Sequence, residues 1–257
     1  MSVLDDIVAG ALADAQKRET ATSLSALRQQ ADAAPEPRDP MPNFRAPGLS
    51  VIAEVKRRSP SKGALASITD PAALAAEYAA GGAHAISVLT EEQRFGGSLA
   101  DLAEVRRLVE TPLLRKDFLV TEYQVVESRA HGADLCLLIV AALTPEELGT
   151  LYQCAVDLGL TALVEVHNEE ELAIANDLGV DLIGVNNRNL KDLEVDPTTF
   201  TRLAPQVRDG AVRVAESGIR TPADARIAED SGADVVLVGE GLVTQSDPRA
   251  AVRALMG

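Results

Sequence analysis

A tripeptide step of glycine, a small aliphatic residue and Asp or His recurs along the chain, and an apolar segment follows it each time. The steps are about 50 residues apart, which is the length of two strand-helix units. Eight strands alternating with eight helices are therefore predicted, the pattern of an α/β protein built around a parallel barrel. The four steps are Gly82-Ala83-His84, Gly132-Ala133-Asp134, Gly179-Val180-Asp181 and Gly232-Ala233-Asp234.

The apolar segments predict the strands of a (β/α)8 TIM barrel, which we expect to form one domain over residues 1–257. Several helices between the strands are marked by a capping residue followed by proline, as at Asp70-Pro71 and Thr144-Pro145. The predicted strands cover residues 50–56, 84–89, 112–116, 134–140, 161–166, 181–186, 211–216 and 234–238.

Residues 1–48 are predicted to form an extension of the barrel. Apolar residues at helical spacing over 3–33, interrupted around 19–22, predict two helices. Five prolines between residues 34 and 48 predict an extended connector without helix. Because two amphipathic helices need an apolar surface to cover, we expect them to cap the barrel mouth as part of a lid.

Polar side chains stand at the carboxyl ends of five predicted strands, although buried parallel strands are usually apolar throughout. In a barrel these ends meet at one mouth, where active sites lie. Ammonium and carboxylate groups at this density shift each other's pKa and provide a proton donor and a proton acceptor. A structural ion-pair network remains the alternative explanation for any one of them. The residues are Glu54, Lys56, Lys116, Glu165, Asn186 and Glu216.

Glycine-bearing turns follow the seventh and eighth predicted strands, at Ser217-Gly218 and at Gly239. Glycine lets backbone N–H groups approach an anion, and these two loops are the usual phosphate site of barrels. Apolar side chains at or just beyond the strand ends form either rim core or the wall of a ring-binding pocket. They are Phe95, Phe118, Leu137, Leu190 and Leu193.

The formal net charge of −15 argues against nucleic acid or an anionic membrane as a partner. An anionic small substrate remains compatible with it if a few cations gather at the mouth. Cys136 and Cys154 fit buried, reduced thiols of a cytoplasmic protein, and acidic residues near the start argue against a signal peptide. None of the three histidines has metal-ligand spacing, so no metal is expected. His167 is expected to be a loop or helix-cap residue.

Five segments, in order along the chain, together resemble the indole-3-glycerol phosphate synthase family. The resemblance implies ring closure of 1-(2-carboxyphenylamino)-1-deoxyribulose 5-phosphate to indole-3-glycerol phosphate, carbon dioxide and water in tryptophan biosynthesis. It also implies that the reaction needs no cofactor and no obligatory protein partner. The segments are 52–61, 114–118, 163–167, 184–190 and 214–218.

The resemblance further implies roles for the residues at the mouth. Lys116 resembles the general acid, Glu165 the base, and Lys56 a charge partner or second acid. Glu54, Asn186 and Glu216 would hold the sugar hydroxyls and the lysines. The residues implied for phosphate binding or its loop are Ser59, Arg188, Ser217, Gly218, Leu237 and Gly239. Those implied for the aromatic ring are Pro60, Phe95, Phe118, Leu137, Leu190 and Leu193.

One position departs from the family pattern, because Glu240 stands where many members have serine. A carboxylate next to a phosphate would be repelled, so we expect Glu240 to turn away. Two alternative functions stay open at this point. One is a sister barrel such as phosphoribosylanthranilate isomerase, and the other is a barrel that binds a sugar phosphate without catalysis.

Overall fold

The structure is a computed structural model that describes residues 3–59, 63–65, 68–190 and 193–257. Its N-terminal extension precedes the first strand of the barrel. Helix α1 (Val3–Ala21) and helix α2 (Leu24–Ala33) confirm the predicted pair of helices. Ser23 separates them, and its Oγ accepts a hydrogen bond from the N–H of Ala26 to cap α2. The prediction that the connector contains no helix is wrong, because a short helix α3 (Met41–Phe44) lies within it. Proline is tolerated there because a first-turn N–H has no partner inside a helix.

Eight parallel strands close into a barrel, in which the last strand pairs with the first. The TIM-barrel prediction is confirmed, and every predicted strand boundary lies within one residue of the observed one. The strands are β1 (Ser50–Val55), β2 (Ala85–Leu89), β3 (Leu113–Lys116), β4 (Leu135–Ile139), β5 (Thr161–Val166), β6 (Leu182–Asn186), β7 (Val212–Glu216) and β8 (Val235–Val238). A two-stranded antiparallel ribbon, Arg58–Ser59 with Gly63–Ala64, follows β1.

The remaining helices surround the barrel, and the predicted caps are confirmed. Asp70 and Thr144 each accept a hydrogen bond from the N–H three residues ahead, with proline in the first turn. The helices are α4 (Pro71–Ala80), α5 (Leu99–Leu108), α6 (Glu122–Ala130), α7 (Pro145–Asp157), α8 (Glu169–Asp177), α9 (Thr199–Leu203), α10 (Pro222–Asp230), α11 (Glu240–Val243) and α12 (Pro248–Met256). Two 3-10 turns lie at Val140–Ala142 and Ala204–Gln206.

Alternate residues of each strand face the helices or the barrel interior. The interior is filled by large aliphatic side chains such as Ile52, Leu114 and Leu163, all fully buried. Phe44 from α3 packs into this inner cluster just before β1 begins. The extension therefore reaches the amino end of the barrel as well as its mouth.

A buried chain of charges ties α1 to the barrel wall. Arg115 is fully buried on β3 and lies 3.0 Å from carboxylate oxygens of both Asp117 and Glu127. Arg18 of α1 donates to both oxygens of Glu127, at 2.7 and 2.9 Å. Since Lys116 points into the barrel, strand alternation sends Arg115 to the opposite face. The sequence analysis does not identify this cluster.

Glu127→Gln should lower the free energy of unfolding by about 3 kcal/mol, because it leaves the buried Arg115 guanidinium with one carboxylate fewer. Urea denaturation followed by circular dichroism measures the change. Arg18→Met is the matched control with a smaller expected loss, since Glu127 then keeps Arg115. Equal losses in the two variants would contradict this account of the cluster.

Candidate active site

One cavity at the carboxyl ends of the strands collects the predicted site residues. Apart from Pro60, which lies outside the described residues, every residue implied for chemistry, phosphate or ring binding lines it. The lining residues include Glu54, Lys56, Ser59, Phe95, Lys116, Phe118, Leu137, Glu165, Asn186, Arg188, Leu190, Leu193, Glu216, Ser217, Gly218, Leu237 and Gly239. We refer to it as the active-site cavity.

Lys116 lies between two carboxylates at the bottom of this cavity. Its Nζ is 3.0 Å from Oε2 of Glu165 and 3.0 Å from Oε2 of Glu216. Burial opposes the charged form of Lys116, but the carboxylates, Glu165 foremost, raise the pKa of its ammonium. The lysine therefore rests as an ammonium ion that can donate a proton.

The two carboxylates that share Lys116 differ in their surroundings. Burial opposes the ionised form of Glu165, but the Lys116 charge, with help from His167 and Asn186, lowers the pKa of that carboxyl. Burial and repulsion from Glu165 outweigh Lys116 at Glu216 and raise its pKa. Oε1 of Glu216 is buried without a hydrogen-bond partner among the described residues. Glu165 is therefore the carboxylate that rests ionised and free to accept a proton, whereas Glu216 favours its protonated form.

A second ion pair joins Lys56 and Glu54, whose Nζ and Oε1 are 2.6 Å apart. Ser87 donates to the other oxygen of Glu54 at 3.4 Å. The pair rests against Gly239, where an added Cβ would lie 2.4 Å from Oε1 of Glu54 and 3.1 Å from Nζ of Lys56. Gly239 therefore leaves room for these side chains as well as for a ligand.

His167 is a loop residue next to the N-cap of α8, as expected, but its side chain makes a further contact. It follows β5 directly, but its Nε2 lies 3.2 Å from Oε1 of Glu165, an ion-pair contact without the alignment of a good hydrogen bond. The interpretation as a loop or helix-cap residue is incomplete, because the ring turns back toward the base. Its spacing of two residues from Glu165 is the one sequence signal for this contact.

The loop after β7 has the unusual backbone expected of an anion site. Ser217 and Gly218 have φ values of 61° and 84°, so consecutive residues adopt left-handed conformations. Two guanidinium groups, of Arg188 and Arg220, line the cavity. Glu240 also lines it, against the expectation that it turns away, and its Oε1 is 3.5 Å from Nε of Arg220. Arg220 thus supplies the counter-charge for this carboxylate.

The apolar wall of the cavity comes from both the barrel and the extension. The rings of Phe95 and Phe118 are tilted by 37°, with centroids 6.2 Å apart. Leu4 and Ile7 of α1, which the sequence analysis does not single out, line the same cavity. They are 3% and 5% exposed, so this end of α1 closes over the mouth.

The beginning of α1 covers the mouth, as expected, whereas α2 does not. The action of α1 as a lid stays a prediction. Leu27 and Ala31 of α2 pack with Tyr123 and Val126 of α6, on the outside of the barrel. The apolar face of α2 covers a barrel helix rather than the mouth. Point substitutions at the mouth test the lid better than removal of residues 1–33, which would also uncover α6.

Leu4→Ser should raise KM about tenfold, because it removes one apolar side chain from the wall that covers bound substrate. Steady-state kinetics measures the change. The control Leu27→Ala lies on the face of α2 that packs against α6, so it should lower the free energy of unfolding by about 2–5 kcal/mol and leave KM unchanged. If KM rises equally in both variants, the rise is caused by a general loss of stability and not by uncovering the mouth.

The fold and the site define an enzyme of the TIM-barrel class with acid-base groups at its mouth. The family model for indole-3-glycerol phosphate synthase matches residues 4–255. The chain belongs to the indole-3-glycerol phosphate synthase family, whose members are carboxy-lyases.

Curated relatives extend along the whole chain. The indole-3-glycerol phosphate synthase of a Nocardioides species is 63% identical over 257 residues, covering 100% of this chain and 99% of the relative. That of Streptomyces griseus is 59% identical over 256 residues, with 100% and 95% covered. These relatives support neither of the two alternative functions, the isomerase and the non-catalytic sugar-phosphate-binding barrel.

Solved structures of other barrels share the fold alone. The 3-hexulose-6-phosphate synthase from Salmonella typhimurium superimposes with a TM-score of 0.66 at 14% identity, over 80% of this chain and 96% of that one. Thiamine phosphate pyrophosphorylase from Pyrococcus furiosus gives a TM-score of 0.61 at 19% identity, over 80% and 93%. Within the described residues, no helix is long and apolar enough to cross a membrane.

Proposed function

We propose that the active-site cavity carries out the ring closure of 1-(2-carboxyphenylamino)-1-deoxyribulose 5-phosphate, with Lys116 as general acid and Glu165 as general base. The observation that carries these roles is the position of one buried ammonium, 3.0 Å from each of two buried carboxylates, in a cavity with apolar walls. A proton donor and a proton acceptor held at hydrogen-bond distance typically contribute about 10²–10⁴ in rate.

The chemistry has three parts. In the first, the ring carbon that bears the carboxylate attacks the ketone carbon, and Lys116 gives its proton to the ketone oxygen, which becomes a hydroxyl. In the second, the C–C bond to the carboxylate breaks and carbon dioxide leaves, which restores the aromatic ring. In the third, the hydroxyl departs as water with one further proton, and Glu165 accepts a proton from the carbon next to nitrogen, giving the indole.

We assign the Glu54–Lys56 pair to the step in which the hydroxyl leaves as water, with Lys56 as a second acid or a charge partner. Glu54 holds Lys56 at 2.6 Å, so the ammonium stays oriented into the cavity. Asn186 donates to Oε1 of Glu165 at 3.1 Å, and this contact orients the base. Glu216 holds the other side of Lys116.

The phosphate is assigned to the side of the cavity formed by Ser59, Ser217, Gly218 and Gly239. The left-handed backbone at Ser217 and Gly218 exposes N–H groups, and Arg188 and Arg220 bring positive charge to a chain that is acidic as a whole. The aromatic ring is assigned to the wall that includes Phe95 and Phe118. A phosphorylated small molecule is thus the proposed ligand, and the cytoplasm the proposed location.

The experiment that tests this function mixes the protein with the proposed substrate and follows the absorbance and fluorescence of the indole formed. Release of carbon dioxide in equal amount is expected. Glu165→Gln should bind product yet turn over at least about 10² times more slowly, since the proton acceptor is lost. Tight binding of the sugar phosphate without any indole would instead support the non-catalytic barrel.

A further inference from the structure

His167 lies between the active-site base and a second cavity. The imidazole side chain is 9% exposed, and its Nε2 is 3.2 Å from Oε1 of Glu165. Glu165 lines the active-site cavity, whereas His167 lines a neighbouring polar cavity formed with the loop after β6 and helix α9. His167 therefore contacts the base from the neighbouring cavity and does not itself line the active-site cavity.

The other nitrogen of the ring is fixed by Glu171 of α8. Nδ1 lies 2.9 Å from Oε2 of Glu171, and the backbone N–H of His167 donates to the same oxygen at 2.8 Å. Asn168 caps α8 by accepting from the N–H of Glu171, and its side chain donates to Oε1 of that carboxylate at 2.7 Å. Two groups besides the imidazole hold the Glu171 carboxylate, and its contact with Nδ1 turns the opposite nitrogen, Nε2, toward Glu165.

The main counter-charge of Glu165 is not permanent. Lys116 lies 3.0 Å from Glu165 and contributes most to keeping it ionised, but Lys116 is also the group that gives up a proton in the proposed reaction. When Lys116 gives up its proton, Glu165 loses its main counter-charge at the stage before it must act as a base. Asn186 contributes only a neutral hydrogen bond. A cation that keeps its proton throughout the cycle would preserve the carboxylate.

We propose that His167 is a positioning residue for this reaction: clamped by Glu171, its imidazolium holds the Glu165 carboxylate in place and keeps it ionised to accept the substrate proton. The inference rests on the proposed role of Glu165 as the base. It is a role for His167 that acts through Glu165 and involves no contact with substrate.

The protonation state of His167 agrees with this role. Burial opposes the charged ring, but the contacts with Glu165 and Glu171 raise the pKa of His167 to about 9. At neutral pH the ring is therefore an imidazolium. The charged groups that face it or share its cavity are Glu165 on β5, Glu171 on α8, Arg202 on α9, and Glu194 and Asp196 after β6, with Lys116 beyond Glu165.

His167→Asn tests the proposal through the pH dependence of kcat. The variant should lower kcat at pH 7 by about tenfold or more with little change in KM, since substrate contacts are untouched. Loss of the imidazolium should raise the pKa of Glu165, so the acid limb of the kcat profile should move to higher pH. Any alkaline limb due to deprotonation of the ring near pH 9 should disappear.

Glu171→Gln should lower the pKa of His167 and so move the parent's alkaline limb to lower pH. Glu170→Gln is the matched control, because it makes the same change of charge one residue away on the exposed face of α8. The control profile should coincide with that of the parent. Circular dichroism and thermal unfolding establish that each variant is folded, and His167→Gln provides a second variant if His167→Asn is not.

Two outcomes separate this inference from the proposed function. If Glu165→Gln is inactive while both limbs of folded His167→Asn coincide with those of the parent, His167 takes no part in keeping the base ionised and this inference is wrong. If Glu165→Gln keeps parental turnover, the role of Glu165 itself fails. A limb shift in His167→Asn together with an inactive Glu165→Gln supports both.

Discussion

Lys116→Ala should reduce kcat by about 10²–10⁴ while the affinity for indole-3-glycerol phosphate changes much less. The variant loses the proposed proton donor and also leaves Glu165 and Glu216 facing each other without the ammonium that now lies 3.0 Å from each. The remaining carboxylates would then share a proton, so the base is weakened at the same time. Stopped-flow kinetics and product titration measure the two effects.

Lys17→Ala, on the exposed face of α1, is the control for loss of one positive charge and should behave as the parent. The same measurements on Lys56→Ala show which of the two lysines at the site turnover requires. Turnover of Lys116→Ala within a few fold of the parent would make Lys116 structural, and the acid would then have to be Lys56.

Gly239→Val should lower kcat by about 10² as well as raise KM. A Cβ at this position would lie 2.4 Å from Oε1 of Glu54, so the Glu54–Lys56 pair has to move, and displacements of about 1 Å at an active site cost about 10² in rate. The KM effect follows from bulk added where we propose that backbone N–H groups bind the phosphate. Steady-state kinetics resolves both, and added inorganic phosphate should compete with substrate in the parent.

Gly149→Ala serves as the control because its Cβ would meet nothing closer than 3.9 Å. It should leave kcat and KM unchanged. If folded Gly239→Val retains parental kcat, the Glu54–Lys56 pair does not depend on this glycine, and an unchanged KM would remove Gly239 from the phosphate site.

The fold was predictable because its signals are local. Each strand begins just after a glycine turn or a proline, the carboxyl ends of five of the eight carry the polar side chains of the site, and several helices begin at a cap followed by proline. The convergence of Glu54, Lys116 and Glu165 was predictable for the same reason, since a barrel brings all its carboxyl strand ends to one mouth. The short helix α3 was missed because the prolines around it argue against helix except in a first turn.

The parts that could not be predicted depend on long-range packing. Arg18 and Glu127 are 109 residues apart, and no pattern in the sequence links them. The direction of the His167 ring is set by Glu171 on the following helix, whose orientation depends on how α8 docks on the barrel. Leu4 and Ile7 reach the mouth, whereas Leu27 packs on α6. This difference follows from the path of the extension and not from hydrophobic spacing.

Helix α1 performs two tasks with its two halves. Near its end, Arg18 is locked to the buried Glu127, whereas near its beginning Leu4 and Ile7 rest on the active-site cavity. A helix pinned at one end can uncover the mouth by fraying or bending its first turns more readily than by swinging as a rigid arm. Substitutions in those first turns can therefore change how quickly substrate enters and product leaves, while the anchored half continues to hold the extension on the barrel. In this protein, access to the active site and attachment of the extension can vary independently.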